Sequence, residues 1–309
     1  MNKINIIIVV FFACLATIVP LAFYIESFPI LSGDHQRWGE FGSFIGGTSG
    51  TILSLLAFIG LYFSIKQTDR QYKLQSEENS FYSLLNFHLN KVKDIEFESL
   101  QGALVFKTLN DKYYNIYKLF CGKLALSIID DDINKLPPEL YDFLSDEFNN
   151  QFSGLDFLQV YNNAKNKVDF IKNINFQRSE TFEETFNSKA TLIVERASSE
   201  DRVTYLEKVY RDFYHEYGHL VGPYFRNMYY ILEDADSSYN PIKFAKIFRA
   251  QLSRYELSIL YYNVMSSYTS EKFNKLIKKY NILDDIYEFD LCYFPDEETL
   301  QSDLEHKLS

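Results

Sequence analysis

The chain is 309 residues long, 47% apolar and 17% aromatic, with a formal net charge of −11 and a pI near 5.0. Such an aromatic content supplies a large core and argues against dominant disorder, while the acidic balance argues against a broad electrostatic grip on nucleic acid. Three scattered cysteines, Cys14, Cys121 and Cys292, form neither a disulfide framework nor a C-x-x-C metal knuckle, as expected in a reducing compartment.

The first stretch, Ile4 to Ile25, reads INIIIVVFFACLATIVPLAFYI. It holds about 22 residues without a charge, long enough to cross a ~30 Å hydrocarbon core as a helix. The apolar run is longer than a signal peptide's, and no small-x-small cleavage site follows it. Cys14 lacks a lipobox, because Phe11 and Phe12 precede it. A second uncharged stretch runs from Phe41 to Ile65, so the first 65 residues predict a transmembrane hairpin with spans at about 4–25 and 41–65. Tyr24, Trp38 and Tyr62 fall near the span ends, where amphipathic rings favour the lipid–water boundary. Lys3 precedes the hairpin, Lys66, Arg70 and Lys73 follow it, and only Arg37 lies in the loop. This asymmetry predicts both termini in the cytoplasm.

Gly42, Gly46 and Gly50 recur every fourth residue of the second span, with Gly47 beside them. Small residues on one helical face allow close backbone approach in lipid. The partner is either the first span of the same chain or the same face of a second chain.

Residues 66–96 contain no proline or glycine and predict a helical stalk. Its apolar stripe begins at Phe81 and continues through Leu84, Leu85, His88, Val92 and Ile95. His88 on that stripe reads as a core histidine rather than a ligand. Residues 97–309 predict an all-helical cytoplasmic domain with joints rich in Pro, Gly or Asp. Within it, DKYYNIYKLFCGKLALSII, PPELYDFLSDEFNNQF, LDFLQVYNNAKNKVDFIKNI and DRVTYLEKVYRDFYHEYG read as helices, and Asn175 to Ser199 as a long loop or inserted hairpin. The segment after Gly222 reads as a new helix starting at Pro223. PIKFAKIFRAQLSRYELSILYYNVMSS reads as one long helix with an apolar stripe (Phe244, Phe248, Leu252, Tyr255, Ile259) and a polar one (Arg249, Ser253, Glu256, Asn263). The fold class is therefore mainly α: a two-helix transmembrane hairpin followed by an all-α domain.

One word in the domain points to chemistry. HEYGHLVGPYF, residues 215–225, contains H-E-x-x-H, which in zinc proteases places two imidazoles and a general base on one helical face. His215, Glu216 and His219 would be the ligands and base, but Phe225 stands where an extended motif has its third histidine, and Gly218 with Gly222–Pro223 reads as a turn. Arg211 and His215 are likewise the pair for a HEPN-type ribonuclease, at a spacing that departs from that family's motif. Walker, Rossmann and nucleophile-elbow words do not occur.

Five words in order, WGEFGSFIGGTSGTILSLLAFIGLYFSI, ENSFYSLLNFH, GPYFRNMYYIL, FRAQLSRYELSILYYNVMS and FNKLIKKYNILDDI, resemble the phage abortive infection family called AbiC-like, from about Trp38 to Ile286 with the middle third unmatched. The family-like positions are Trp38, Phe41, Gly42, Gly46 and Gly47 in the membrane segment, then Tyr224, Phe225 and Arg226. Arg249, Gln251, Leu252, Ser253, Glu256, Leu257, Tyr262 and Asn263 follow. In such proteins a histidine often precedes Tyr-Phe-Arg; here Pro223 does. The resemblance makes Phe225 part of a packing word rather than a failed ligand. It implies a two-span protein of the bacterial inner membrane acting in antiphage defence, with no cofactor. Its implied partners are the lipid bilayer, further copies of the chain, and a retron reverse transcriptase or a phage-derived trigger. The expected function is an effector that perturbs the membrane when triggered in the cytoplasm. The alternative is a membrane-tethered enzyme, an HExxH zinc hydrolase or a HEPN-like ribonuclease.

Overall fold

Uncharged, β-branched and aromatic residues in unbroken runs form helices when nothing offers their backbone another partner, and α1 (Lys3–Ser27) is one such run. The computed structural model describes residues 3–28, 30, 33–174 and 179–308. They fall into two compact units, Met1–Asn79 and Ser80–Ser309.

In the first unit α2 (His35–Ile45) starts at an Asp34 N-cap, whose carboxylate accepts from the Gln36 N–H at 3.0 Å. It passes through a five-residue π-helical turn, Gly46–Gly50, into α3 (Thr51–Asp94). Two helices here are long and apolar enough to cross a membrane. Each has a most apolar window only 6% buried, the reverse of a soluble core helix. Hydroxyls along the second helix return to carbonyls one turn back: Ser43 to Gly39 (3.0 Å), Thr51 to Gly47 (2.7 Å) and Ser54 to Gly50 (2.8 Å). Polar side chains are thereby satisfied within the helix, as an apolar solvent demands.

The second unit is helical throughout, apart from a two-residue hairpin, β1 (Glu96–Phe97) and β2 (Leu100–Gln101), among the described residues. Its helices are α4 (Ala103–Asp131), α5 (Pro138–Gln151), α6 (Phe157–Asn163), α7 (Lys167–Asn173), α8 (Ser179–Glu195) and α9 (Ser199–Ser237). Then follow α10 (Pro241–Arg249), α11 (Arg254–Met265), α12 (Glu271–Lys279) and α13 (Glu297–Leu308). Residues Glu256–Met265 of α11 are buried on every side, and α4, α9 and α13 pack around that helix. The all-α reading of the sequence holds.

Four local expectations are corrected. The segment read as a loop contains α8, because Phe186, Ala190 and Val194, spaced by four, bury one face against α4. There Gly122 makes room for Asn187: a Cβ would lie 1.7 Å from the Asn187 Oδ1, so that side chain would have to move. Residues 175–178 of that segment lie outside the described residues. The stretch 155–174 is two short helices, α6 and α7, because Asn166 caps a new start through the Asp169 N–H at 3.0 Å.

No helix begins at Pro223. α9 runs through it unbroken, since Val209, Phe213, Tyr217, Val221, Tyr224 and Met228 bury a continuous face on both sides. Packing outweighs the one hydrogen bond that proline forfeits. The long helix expected from Pro241 onward breaks at residues 250–253, where Ser253 and Glu256 form a capping box that starts α11.

The C-terminal helix is tied in by a buried ion pair. Arg202 (4% exposed) donates to Asp303 (0% exposed) through Nε at 2.7 Å and Nη2 at 2.9 Å. Its Nη1 caps the end of α8 through the carbonyls of Ala197 (2.7 Å) and Glu195 (3.2 Å). Asp303 also accepts from the Tyr293 hydroxyl at 2.8 Å. Removing one partner strands the other charge in the core, at a cost of roughly 3–5 kcal/mol, whereas an apolar pair of similar volume is near neutral. Asp303→Ala is therefore expected to lower the melting temperature of the detergent-solubilised chain by roughly 6–15 °C. The double variant Arg202→Met/Asp303→Leu should recover at least half of that loss in the same circular-dichroism melt.

Candidate functional site

The family-like words of the second unit converge on one junction. Phe81, Leu85 and His88 occupy one face of the last turns of α3, at spacings of four and three, and all are buried. Phe81 stacks on Phe244 of α10, with ring centres 4.5 Å apart. His88 lies against Tyr224 of α9 (4.9 Å) and edge-on to Phe248 of α10 (5.7 Å). The other side of Tyr224 meets Phe106 of α4 at 4.6 Å.

Below this aromatic layer is a carboxylate. Glu256, 4% exposed, accepts from the Tyr224 hydroxyl at 2.8 Å on one oxygen and from the Ser253 N–H at 2.8 Å on the other. Burial and the adjacent carboxylate push the Tyr224 phenol well above its ordinary value, so it remains a donor. Glu256 thus performs two tasks: it caps α11 and holds the Tyr224 ring in place against α3.

His88 differs from its neighbours. It is 1% exposed, and neither ring nitrogen has a hydrogen-bond partner. Desolvation lowers its pKa to about 4, so it is neutral near pH 7. A buried unpaired polar group costs about 1–3 kcal/mol. The end of α3 is therefore seated in the domain by apolar burial and opposed by its own histidine.

The remaining family-like residues are structural around this junction or lie at its edge. Phe225 is buried beside Tyr224, whereas Arg226 and Gln251 are exposed. Arg249 donates to the Asn281 carbonyl at 2.9 Å and pairs with Asp284 (3.3 Å) and Asp285 (3.0 Å), tying α10 to the segment after α12. Asn263 donates to the Tyr210 hydroxyl at 2.7 Å, and Tyr262 stacks on Tyr113 at 3.7 Å. The expected polar stripe is thus a set of separate contacts divided by the break before α11. Gly42, Gly46, Gly47 and Gly50 lie in the first unit, where an added Cβ at any of them would meet nothing within 4 Å of this chain.

His215, Glu216 and His219 are exposed on α9. Glu216 accepts from the neighbouring Tyr217 hydroxyl at 2.7 Å. The described residues hold no group of three or more His, Cys, Asp or Glu arranged for a metal, while a zinc site needs at least three protein ligands. The glycines of the word have a packing role instead. The Tyr214 side chain lies over them, its ring 2.9 Å from a Cβ at Gly218 and its hydroxyl 2.8 Å from one at Gly222, and the ring packs at a tilt on Tyr268 with centres 4.3 Å apart. Arg211 is exposed and lies 4.0 Å from Glu207 on the same helix. Cys121 and Cys292 are buried, and burial drives the Cys121 thiol up to about 12 and Cys292 also upward, which keeps both unreactive.

Sequence reasoning missed two features of the junction. His88 closes the word ENSFYSLLNFH, but the word does not reveal that the ring has no partner. Phe106 belongs to the unmatched middle third and carries no signal of its own.

Acid sensitivity follows from His88. Its folded-state pKa is depressed from 6.5 to about 4, so its burial is favoured most above pH 6.5 and is progressively opposed as pH falls from 6.5 toward 4. In denaturant titrations, His88→Phe should stabilise the chain at pH 7 by about 1 kcal/mol and flatten the decline in stability between pH 6.5 and 4. An unchanged acid limb would mean that other groups set it.

Comparison with known proteins finds a family likeness for part of the second unit. No curated protein and no solved structure matches the chain. The family model described as "Putative phage abortive infection protein" matches residues 216–291, which run from the second half of α9 through α10, α11 and α12 to Leu291. This segment, which contains Tyr224, Phe248 and Glu256, is similar to the phage abortive infection family, and the similarity supports a role in phage defence.

Proposed function

We propose that the protein is a membrane-anchored abortive-infection effector of the bacterial inner membrane. Infection is sensed by the helical domain, and the glycine segment of the membrane hairpin is the part that acts. One observation carries this reading: α3 begins directly after the π-helical glycine turn and ends buried among the family-matched helices. A helix is stiff along its axis, so a change in how its last turns are seated can be transmitted to its first. The junction suits such a switch, because apolar burial opposes an unpaired His88 and the balance is small enough for a partner to tip.

The glycine segment supports the other half of the proposal. π-Helical turns are rare and concentrate at functional sites, and four glycine positions there leave open space on this chain. α1 meets the π-helical turn, yet room for a Cβ remains at each glycine, and a face with such room fits contact with the same face of a second copy. Oligomerised hairpins would then compromise the membrane and arrest the infected cell. The trigger is a phage product or a partner such as a retron reverse transcriptase, received by the cytoplasmic domain. Both termini are cytoplasmic in this scheme.

Two experiments test it. The double variant Gly46→Leu/Gly50→Leu should remain in the membrane fraction yet lose phage protection and the fall in membrane potential during infection. Full protection by that variant, with no depolarisation in the parent, would transfer the activity to a tethered enzyme. Glu216→Gln is expected to protect as well as the parent at equal abundance. A well-folded Glu216→Gln chain that has lost protection, with zinc co-purifying with the parent, would establish the hydrolase instead.

A further inference from the structure

At the corner where α1 gives way to α2 the first unit contains two adjoining cavities, of about 260 and 720 Å3, which share Tyr24, Phe28 and Arg37. The smaller is walled by Leu21, Ile25, Phe28, Trp38 and Phe41, and Arg37 is the charged group on its wall. The larger adds Asp34 and Glu40. The rings hold one another in place: Tyr24 lies 4.6 Å from Phe41 and 5.0 Å from Phe28, and Trp38 meets Phe41 edge-on at 5.9 Å. Yet Phe28 is 61% and Trp38 50% exposed, a large apolar surface that the described residues leave uncovered. Arg37 forms no ion pair among the described residues.

The charge pattern selects the occupant. Glu40 and Asp34 outnumber Arg37, so a purely anionic headgroup would meet net repulsion. A headgroup with a phosphate and a primary ammonium matches a guanidinium beside carboxylates, since each charge then finds its opposite. A trimethylated ammonium has no N–H to donate to Glu40. We propose that this slot holds one phospholipid with an ethanolamine headgroup, its phosphate on Arg37, its ammonium on Glu40, and an acyl chain along Leu21, Ile25 and Trp38. Asp34 adds to the acidic field while one of its oxygens caps α2. Aromatic rings at the headgroup level would complete the site. The inference rests on the membrane reading given under the proposed function.

Trp38 is the single tryptophan of the chain, so its fluorescence reports on the slot. The full-length protein is reconstituted into phosphatidylcholine vesicles containing a graded fraction of a lipid with brominated acyl chains. That lipid carries an ethanolamine, a choline or a glycerol headgroup. Half-maximal quenching is expected at a roughly fivefold lower fraction of the ethanolamine lipid than of either other, and Arg37→Gln and Glu40→Gln should each erase most of that difference while bulk quenching persists. Equal fractions for all three lipids, or preference for the glycerol headgroup, would overturn the slot while leaving membrane insertion intact. Absence of quenching by any brominated lipid would overturn both, because Trp38 would then lie away from the bilayer.

Discussion

Burial of α11 from all sides is the constraint on which the second unit depends. A helix with no solvent face must give every polar group an internal partner, and α11 carries Ser258, Tyr261, Tyr262, Asn263 and Glu256. Each finds one. Ser258 returns to the Arg254 carbonyl at 3.1 Å, Tyr262 accepts from the Cys292 N–H at 2.7 Å, and Tyr261 meets the Tyr293 hydroxyl at 2.5 Å. Those partners lie on α9, on the segment after α12 and, through Tyr293 and Asp303, on α13. The need to satisfy one helix therefore dictates how its neighbours dock.

The same economy explains the position of the candidate site. Glu256 must be satisfied because it is buried, and Tyr224 satisfies it. Tyr224 is then fixed as the floor on which the end of α3 rests. His88 is one of four described residues of the unit with a buried polar side-chain atom left unpaired, with Asn110, Tyr117 and Asn274, and it lies on the last turns of α3 against the family-matched helices. An unsatisfied buried group at such a point lowers the cost of undocking without exposing a charge to the apolar layer. The family match covers helices that surround these rings, from Glu216 in α9 to Leu291.

The H-E-x-x-H word shows how a chemical motif can be outweighed by packing. Both histidines and the glutamate lie on the solvent side of α9, while the residues between them, Tyr217 and Gly218, serve the core: Tyr217 packs on Phe213, and Gly218 admits the Tyr214 ring. The spacing needed for two ligands on one helical face is also the spacing of any exposed stripe. Only a third ligand from elsewhere would distinguish them.

Much of the architecture was legible in the sequence, because it rests on local chemistry. Uncharged runs of over twenty residues specify apolar helices, four-residue spacing from Phe81 marks the docking face of α3, and Ser253 with Glu256 three residues later carries the signature of a helix start. The capping box was overlooked in favour of the longer apolar period that spans it. What required the tertiary structure was every feature that depends on a distant neighbour. Pro223 stays inside α9 because apolar contacts flank it on both sides, and residues 179–195 become a helix because α4 buries the face formed by Phe186, Ala190 and Val194. Gly42, Gly46, Gly47 and Gly50 leave room for a Cβ although α1 contacts the π-helical turn, which spacing alone left open. His88 is unpaired while Tyr224, whose ring packs on it, gives its hydroxyl to Glu256, and no reading of residues 80–95 contains that fact. Sequence determines which faces must be buried; only the fold decides which buried groups find each other.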